Sequence, residues 1–194
     1  AIDPMIWDEA AGALEWTRKQ KRRRFGLSDR AWMVCDSFKR AWRYAHPHVT
    51  LLWSELGTAA KAAVRNPGTV YPCFAMSVLC KGAWLRIKLP SGRFMCYPSP
   101  RISDDSALSY MGIDQYTRKW QRISTYGGKL VENITQAVAR DLLAASMPAI
   151  ETAGYKIVLT VHDEVIAEAP DRPEYNAAHL SGLLSANPPW AAGL

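Results

Sequence analysis

The chain has 194 residues, enough for one domain with a real core or for parts of two. Its hydrophobic share of 48% is ordinary for a globular protein, and no uninterrupted apolar run approaches the ~18 residues of a membrane-spanning helix. The formal net charge of +6 points toward polyanions, although many basic proteins bind no nucleic acid. The four cysteines, Cys35, Cys73, Cys80 and Cys96, form no Cys-x-x-Cys pair, and His46 and His48 lie far from them in sequence. That spacing argues against a zinc finger and for reduced, partly buried thiols. The first residues lack the charged stretch and apolar core of a secretory signal, so a cytoplasmic protein is expected.

In chain order, residues 7–24 read as a helix ending in a basic run, Arg18 to Arg24, closed by Phe25 and Gly26. The run is either a phosphate-backbone contact or a solvated helix end. Ser28 is a good N-cap for a second helix, Asp29 to about Tyr44, with Trp32, Cys35, Phe38 and Trp42 as its apolar stripe and Lys39, Arg40 and Arg43 off it. Pro47 stops that helix and opens a third, His48 to Val64, whose Val49, Leu52, Trp53, Leu56, Ala60 and Ala63 face a partner. The two read as a helical hairpin.

Asn66, Pro67 and Gly68 mark a turn, and the character then changes. TVYPCFAMSV (69–78), AWLRIKLP (83–90) and RFMCYP (93–98) are strand-like, with turn signals at Lys81-Gly82 and Ser91-Gly92. Residues 101–116 read as a polar connector. TRKWQRIST (117–125) reads as a further strand with Arg118, Trp120 and Arg122 on one face. An antiparallel sheet with a wet basic face suits a nucleic-acid cleft, and equally suits an ordinary half-exposed sheet.

From Thr125 to Pro170 the pattern is sharpest. Leu130, Ile134, Val138 and Leu142 recur at four-residue steps, and Glu132, Gln136 and Arg140 form a second ridge at the same step. Gly154 ends this helix, and YKIVLTV is a β-branched strand. His162, Asp163 and Glu164 interrupt it before VIAEA resumes, which predicts a hairpin over 157–168 with three polar side chains at its tip. The tip is either a plain polar turn or half of a Mg²⁺ site, since Mg²⁺ takes one or two carboxylates and a two-metal centre needs more. Pro173 to Leu184 then reads as a final helix, with coil after it.

Three segments in order carry a resemblance: GRFMCYP (92–98), QAVARD (136–141) and TVHDEV (160–165). Together they resemble the family A DNA polymerases, the DNA polymerase I group, with TVHDEV similar to motif C; the stretch from Thr125 to Asp141 is closest to phage-type members. The fold this implies is α+β: a helical N-terminal part packed with an antiparallel palm-type sheet, and a long helix before the motif C hairpin. Residues 1–68 are then a segment derived from the fingers, and 69–194 a palm portion.

By that resemblance Asp163 is the metal-binding aspartate, Glu164 its acidic neighbour, and His162 the histidine near the primer terminus. Gln136 matches the glutamine that approaches the template–primer minor groove, with Arg140, Asn133 and Arg93 as further DNA contacts. The cofactor is Mg²⁺ in a two-metal site of which only half, Asp163 and Glu164, is in this chain. Partners are a DNA primer–template and dNTPs in the full-length protein, with no membrane. Where the family's helix carries Arg and Asn ahead of the glutamine, this chain has Gly128 and Glu132. Motifs A and B have no counterpart, so the expectation is the C-terminal fragment of a template-directed DNA polymerase, inactive alone, from a prophage or a phage-infected cell. Former interface left exposed is expected to permit a dimer. The alternatives are a non-catalytic nucleic-acid-binding module, a one-metal nuclease built on His162 and Asp163, and a structural core with no DNA role.

Overall fold

Two side-chain caps set the first helices. In the computed structural model, which describes residues 2–21 and 26–193, the Asp3 carboxylate accepts the N–H of Met5 at 2.8 Å and α1 runs Pro4–Lys19. The Ser28 hydroxyl accepts from Ala31, and α2 runs Asp29–Ala45. The expected start at residue 7 is therefore three residues late, because Asp3 with Pro4 already makes a cap and first turn. Arg22 to Arg24 of the expected basic run, and Phe25 after it, lie outside the described residues.

The chain divides into two compact units, residues 1–52 and 53–194. In the first, α1 buries Ile6, Ala10, Leu14 and Thr17 and packs against α2. The apolar stripe read for α2 does not face that partner: Cys35 is exposed, Phe38 is 65% exposed and Trp42 44%. Asp36 and Ser37 are buried instead. The reason is an ion network. Asp36 accepts from Lys39 and from Arg40 Nε (2.6 Å), Arg40 Nη1 donates to Glu9 on α1 (2.9 Å), and the Tyr44 hydroxyl donates to the same carboxylate. Burial pushes the Asp36 pKa up, but the hydrogen bonds from Lys39 and Arg40 outweigh it and hold the carboxyl below its ordinary value. Within the first unit the helical pairing is α1 with α2.

α3 (Pro47–Arg65) crosses the division and buries Leu56, Ala59, Ala60 and Ala63. In the second unit β1 (Val70–Cys73), β2 (Met76–Lys81), β3 (Trp84–Lys88) and β4 (Phe94–Pro98) form one antiparallel sheet in that order. Val78, Cys80, Leu85, Ile87 and Tyr97 alternate onto its buried face. The single strand read over 69–78 is two strands, because the chain reverses at Phe74, whose φ is +52°. Pro72 then sits on an edge strand, where a missing N–H is tolerated. Burial pushes the Cys73 and Cys80 thiols up, which keeps them protonated and unreactive.

The stretch read as a connector holds β5 (Arg101–Ile102) and β6 (Leu108–Ile113), which join β7 (Trp120–Thr125) in a second, three-stranded sheet. A six-residue turn, 114–119, links β6 to β7. The Asp114 carboxylate accepts the N–H of Tyr116 and Thr117, and those bonds, that from Thr117 first, hold it below its ordinary pKa. Arg118 falls in this turn rather than on the strand.

α4 (Gly127–Thr152) is 26 residues, roughly 39 Å at 1.5 Å per residue. Leu130 and Ile134 are buried, but Val138 and Leu142 are half-buried and the buried line moves to Leu143, Ser146 and Ile150. A strict four-residue step advances about 400° on a helix, so the stripe drifts off the core by about 40° per step. Then β8 (Lys156–Val161) and β9 (Glu164–Glu168) pair as a separate two-stranded ribbon, with an irregularity between Ile157 and Leu159. α5 (Ala177–Leu184) packs on α4; it begins later than read because Asn176, not Pro173, caps it by accepting the N–H of His179. A 3₁₀ turn, Pro189–Ala191, follows where coil was read, and Ala191 is buried. With helices and antiparallel strands in separate blocks, the fold class is α+β. No helix among the described residues is long and apolar enough to cross a membrane.

Candidate functional site

Val161 pairs with Glu164, so the ribbon turns on two residues, His162 and Asp163. Two-residue loops match the strand twist only with left-handed backbone, and His162 supplies it at φ +53°. Glycine would adopt that conformation without a Cβ penalty, so a histidine here carries a small strain.

The turn meets the outer ridge of α4. Gln136 and Arg140, one turn apart, lie with His162 and Asp163 around an open cleft of about 540 Å³, and the small Ala139 leaves room between them. All four side chains are exposed, and Arg140 and Asp163 make no ion pair among the described residues. The cleft thus offers an amide that can donate and accept, a fixed cation, an imidazole and one carboxylate. Glu164 opens β9 and does not line it.

Arg93 and Asn133 lie elsewhere. Arg93 donates from Nε to Asp141 (2.6 Å) and from Nη2 to the Ala137 carbonyl (3.0 Å), and Ser91 donates to the same carboxylate. This staples the turn before β4 to the middle of α4. Asn133 donates to the Tyr97 hydroxyl at 3.2 Å. Burial pushes the Tyr97 pKa up, partly offset by that bond, and its ring meets Tyr110 edge-on at 4.9 Å. Arg122 donates to the Ser99 carbonyl and the Ser109 hydroxyl, while Trp120 is exposed.

Sequence reading missed Asp141, Ser91 and Tyr97, which fix where α4 sits against β4. Asp141 stood in a noted segment and Ser91 in a noted turn, but pairs 50 residues apart leave no local signal.

Among the described residues no group of three His, Cys, Asp or Glu could hold a metal ion. Asp163 and Glu164 are hard oxygen donors of the type Mg²⁺ takes, but two adjacent carboxylates of which one faces the cleft do not make a two-metal centre.

Comparison with known proteins gives one informative relative. The chain is 37% identical over 160 residues to a protein described as DNA polymerase from Bacillus phage SP02. The match takes in 80% of this chain and 24% of that protein, so the chain spans about a quarter of its relative's length. No protein-family model matches the chain, and no solved structure does.

Proposed function

We propose that this chain, related to a phage DNA polymerase, is the palm-and-fingers portion near the C-terminus of a phage-type family A enzyme that extends a primer on a DNA template. Residues 1–68 derive from the fingers, and residues 69–194 form the palm portion. The observation that carries this reading is the cleft where Gln136 and Arg140 of α4 meet His162 and Asp163 of the turn. The segments that hold these residues are two of those that resemble the family, and the fold places them around one opening.

Each side chain has a task there. The Gln136 amide suits the minor-groove acceptors that all correct base pairs share, so it checks shape rather than sequence. Arg140 is placed for a backbone phosphate. His162 stands beside the position of a primer end. Asp163, with Glu164 next to it, is the share of a Mg²⁺ site that this chain contributes, and Mg²⁺ would neutralise phosphate charge there. Asn133 and Arg93, tied to Tyr97 and Asp141, set the pose of α4, and Arg93 keeps a half-exposed guanidinium for DNA. No catalytic step is assigned to the chain alone, because in-line phosphoryl transfer needs its positioning and charge-neutralising parts together.

Primer extension in Mg²⁺ tests this directly. The isolated chain is expected to extend nothing. Extension that survives in it and is lost in Asp163→Ala would overturn the reading of an incomplete centre. A non-catalytic nucleic-acid-binding module, the alternative, gives binding indifferent to Mg²⁺ and to Asp163. The half-exposed apolar residues of β8 and β9 favour a dimer in isolation, and light scattering that shows a monomer across concentration would count against it.

A further inference from the structure

A second opening, of about 380 Å³, lies where α4 begins, and its chemistry differs from that of the cleft. Ser54, Thr58 and Lys61 reach it from α3 at a spacing of four and three residues, which puts them on one helix face. Thr125 ends β7 and Gly127 opens α4 on the other side. No carboxylate lines it, and Lys61 makes no ion pair among the described residues.

α4 starts without a cap. Tyr126 holds the N-cap position and gives no side-chain hydrogen bond. The N–H groups of the first turn, at Gly127, Gly128 and Lys129, therefore have no intrahelical or capping acceptor, and they carry the positive end of the helix dipole. Gly127 is required by close approach: a Cβ there would fall on the Trp53 carbonyl and lie 3.1 Å from the Gly57 nitrogen. That approach draws the start of α4 flush against α3, beside Lys61.

A separate observation points to a ligand. Thr125 is only 7% exposed and lines this opening, yet its hydroxyl has no hydrogen-bond partner among the described residues. A buried hydroxyl without a partner is destabilising, and an acceptor entering the notch would relieve it.

We propose that this notch binds a phosphate group, held by the first-turn N–H groups of α4, the Thr125 hydroxyl and the Lys61 ammonium. Beside the apolar walls of Trp53, Ala107, Leu108 and Tyr126, its polar side chains are hydroxyls and one ammonium with no carboxylate, a set that suits a tetrahedral oxyanion. The phosphate is either a phosphodiester of a nucleic-acid strand or the terminal phosphate of a nucleotide. Gln136 stands roughly 14 Å further along α4 by helix rise, so the notch is a site separate from the cleft. It stands on its own geometry and does not depend on the polymerase reading.

The test is a titration of the ¹⁵N-labelled full chain with inorganic phosphate, read by amide chemical shift. Saturable shifts are expected at Gly127, Gly128, Lys129 and Gly57. Lys61→Gln is expected to weaken the apparent affinity about tenfold. Thr125→Val, which keeps the shape and removes only the hydroxyl, is expected to weaken it about threefold to tenfold. Spectra unchanged elsewhere show that both variants are folded. Shifts that do not saturate and scatter over surface lysines and arginines would overturn the proposal, as would wild-type affinity in both variants. An oligonucleotide without terminal phosphates that saturates the same amides at lower concentration than inorganic phosphate assigns the notch to a strand backbone; saturation by a dNTP alone assigns it to a terminal phosphate. Asp163→Ala is expected to leave these shifts unchanged, so failure of the polymerase reading and failure of the notch are told apart.

Discussion

The β1–β4 sheet and the β8–β9 ribbon are built from the same residue types and live in opposite surroundings. In the sheet Val78 and Ile87 are fully buried and Leu85 nearly so. In the ribbon Val158, Leu159 and Ile166 are each half exposed or more. The sheet has a core on one face, whereas the ribbon has two strands and little covering it. A lone two-stranded ribbon is marginal in water. The difference teaches where stability and function part company. The sheet holds the second unit together and positions α4 through the Arg93–Asp141 pair, while the ribbon presents a turn.

The widest gap should appear in truncations. Ile87→Ala is expected to cost about 3 kcal/mol of unfolding free energy, while Ile166→Ala costs below about 1 kcal/mol. Urea denaturation of the two variants checks this, and equal losses would break the contrast. The staple comes next. Asp141→Ala leaves Arg93 and Ser91 without their acceptor and should cost about 2 kcal/mol, with loss of the cross-peak between β4 and α4 protons in NMR. A smaller effect of opposite sign is expected at the ribbon's turn. His162→Gly relieves the left-handed strain and should stabilise by up to about 1 kcal/mol, seen as a raised urea midpoint, while lowering affinity for a primer end. A variant with unchanged DNA binding would make His162 a turn residue only.

What could be read from the sequence follows the same division. The Ser28 cap, the turns at Gly82 and Gly92 and the length of α4 are set by near neighbours, and each lies where its residues put it; the hairpin tip, read as His162, Asp163 and Glu164, is two residues, because Glu164 pairs with Val161 and opens β9. The orientation of α2 was not legible, because it depends on Arg40 reaching Glu9, 31 residues away. β5 and β6 escaped notice because β5 has two residues and β6 gains its form only by pairing with β7. At the site, the resemblance to a known family grouped Gln136, Arg140, His162 and Asp163, and periodicity put the first two on one ridge. The partners of Arg93 and Asn133, and the notch at the start of α4, come from contacts between distant segments that carry no spacing in the sequence.

One measurement bears most directly on the cleft as a polymerase site: fluorescence anisotropy of a recessed primer–template against a blunt duplex, in Mg²⁺, at low and moderate salt. The account predicts tighter binding to the recessed end, and a preference that shrinks in Asp163→Ala and in Gln136→Ala. Equal binding to both forms, falling steeply with salt and unmoved by either substitution, would contradict it and leave only a basic surface.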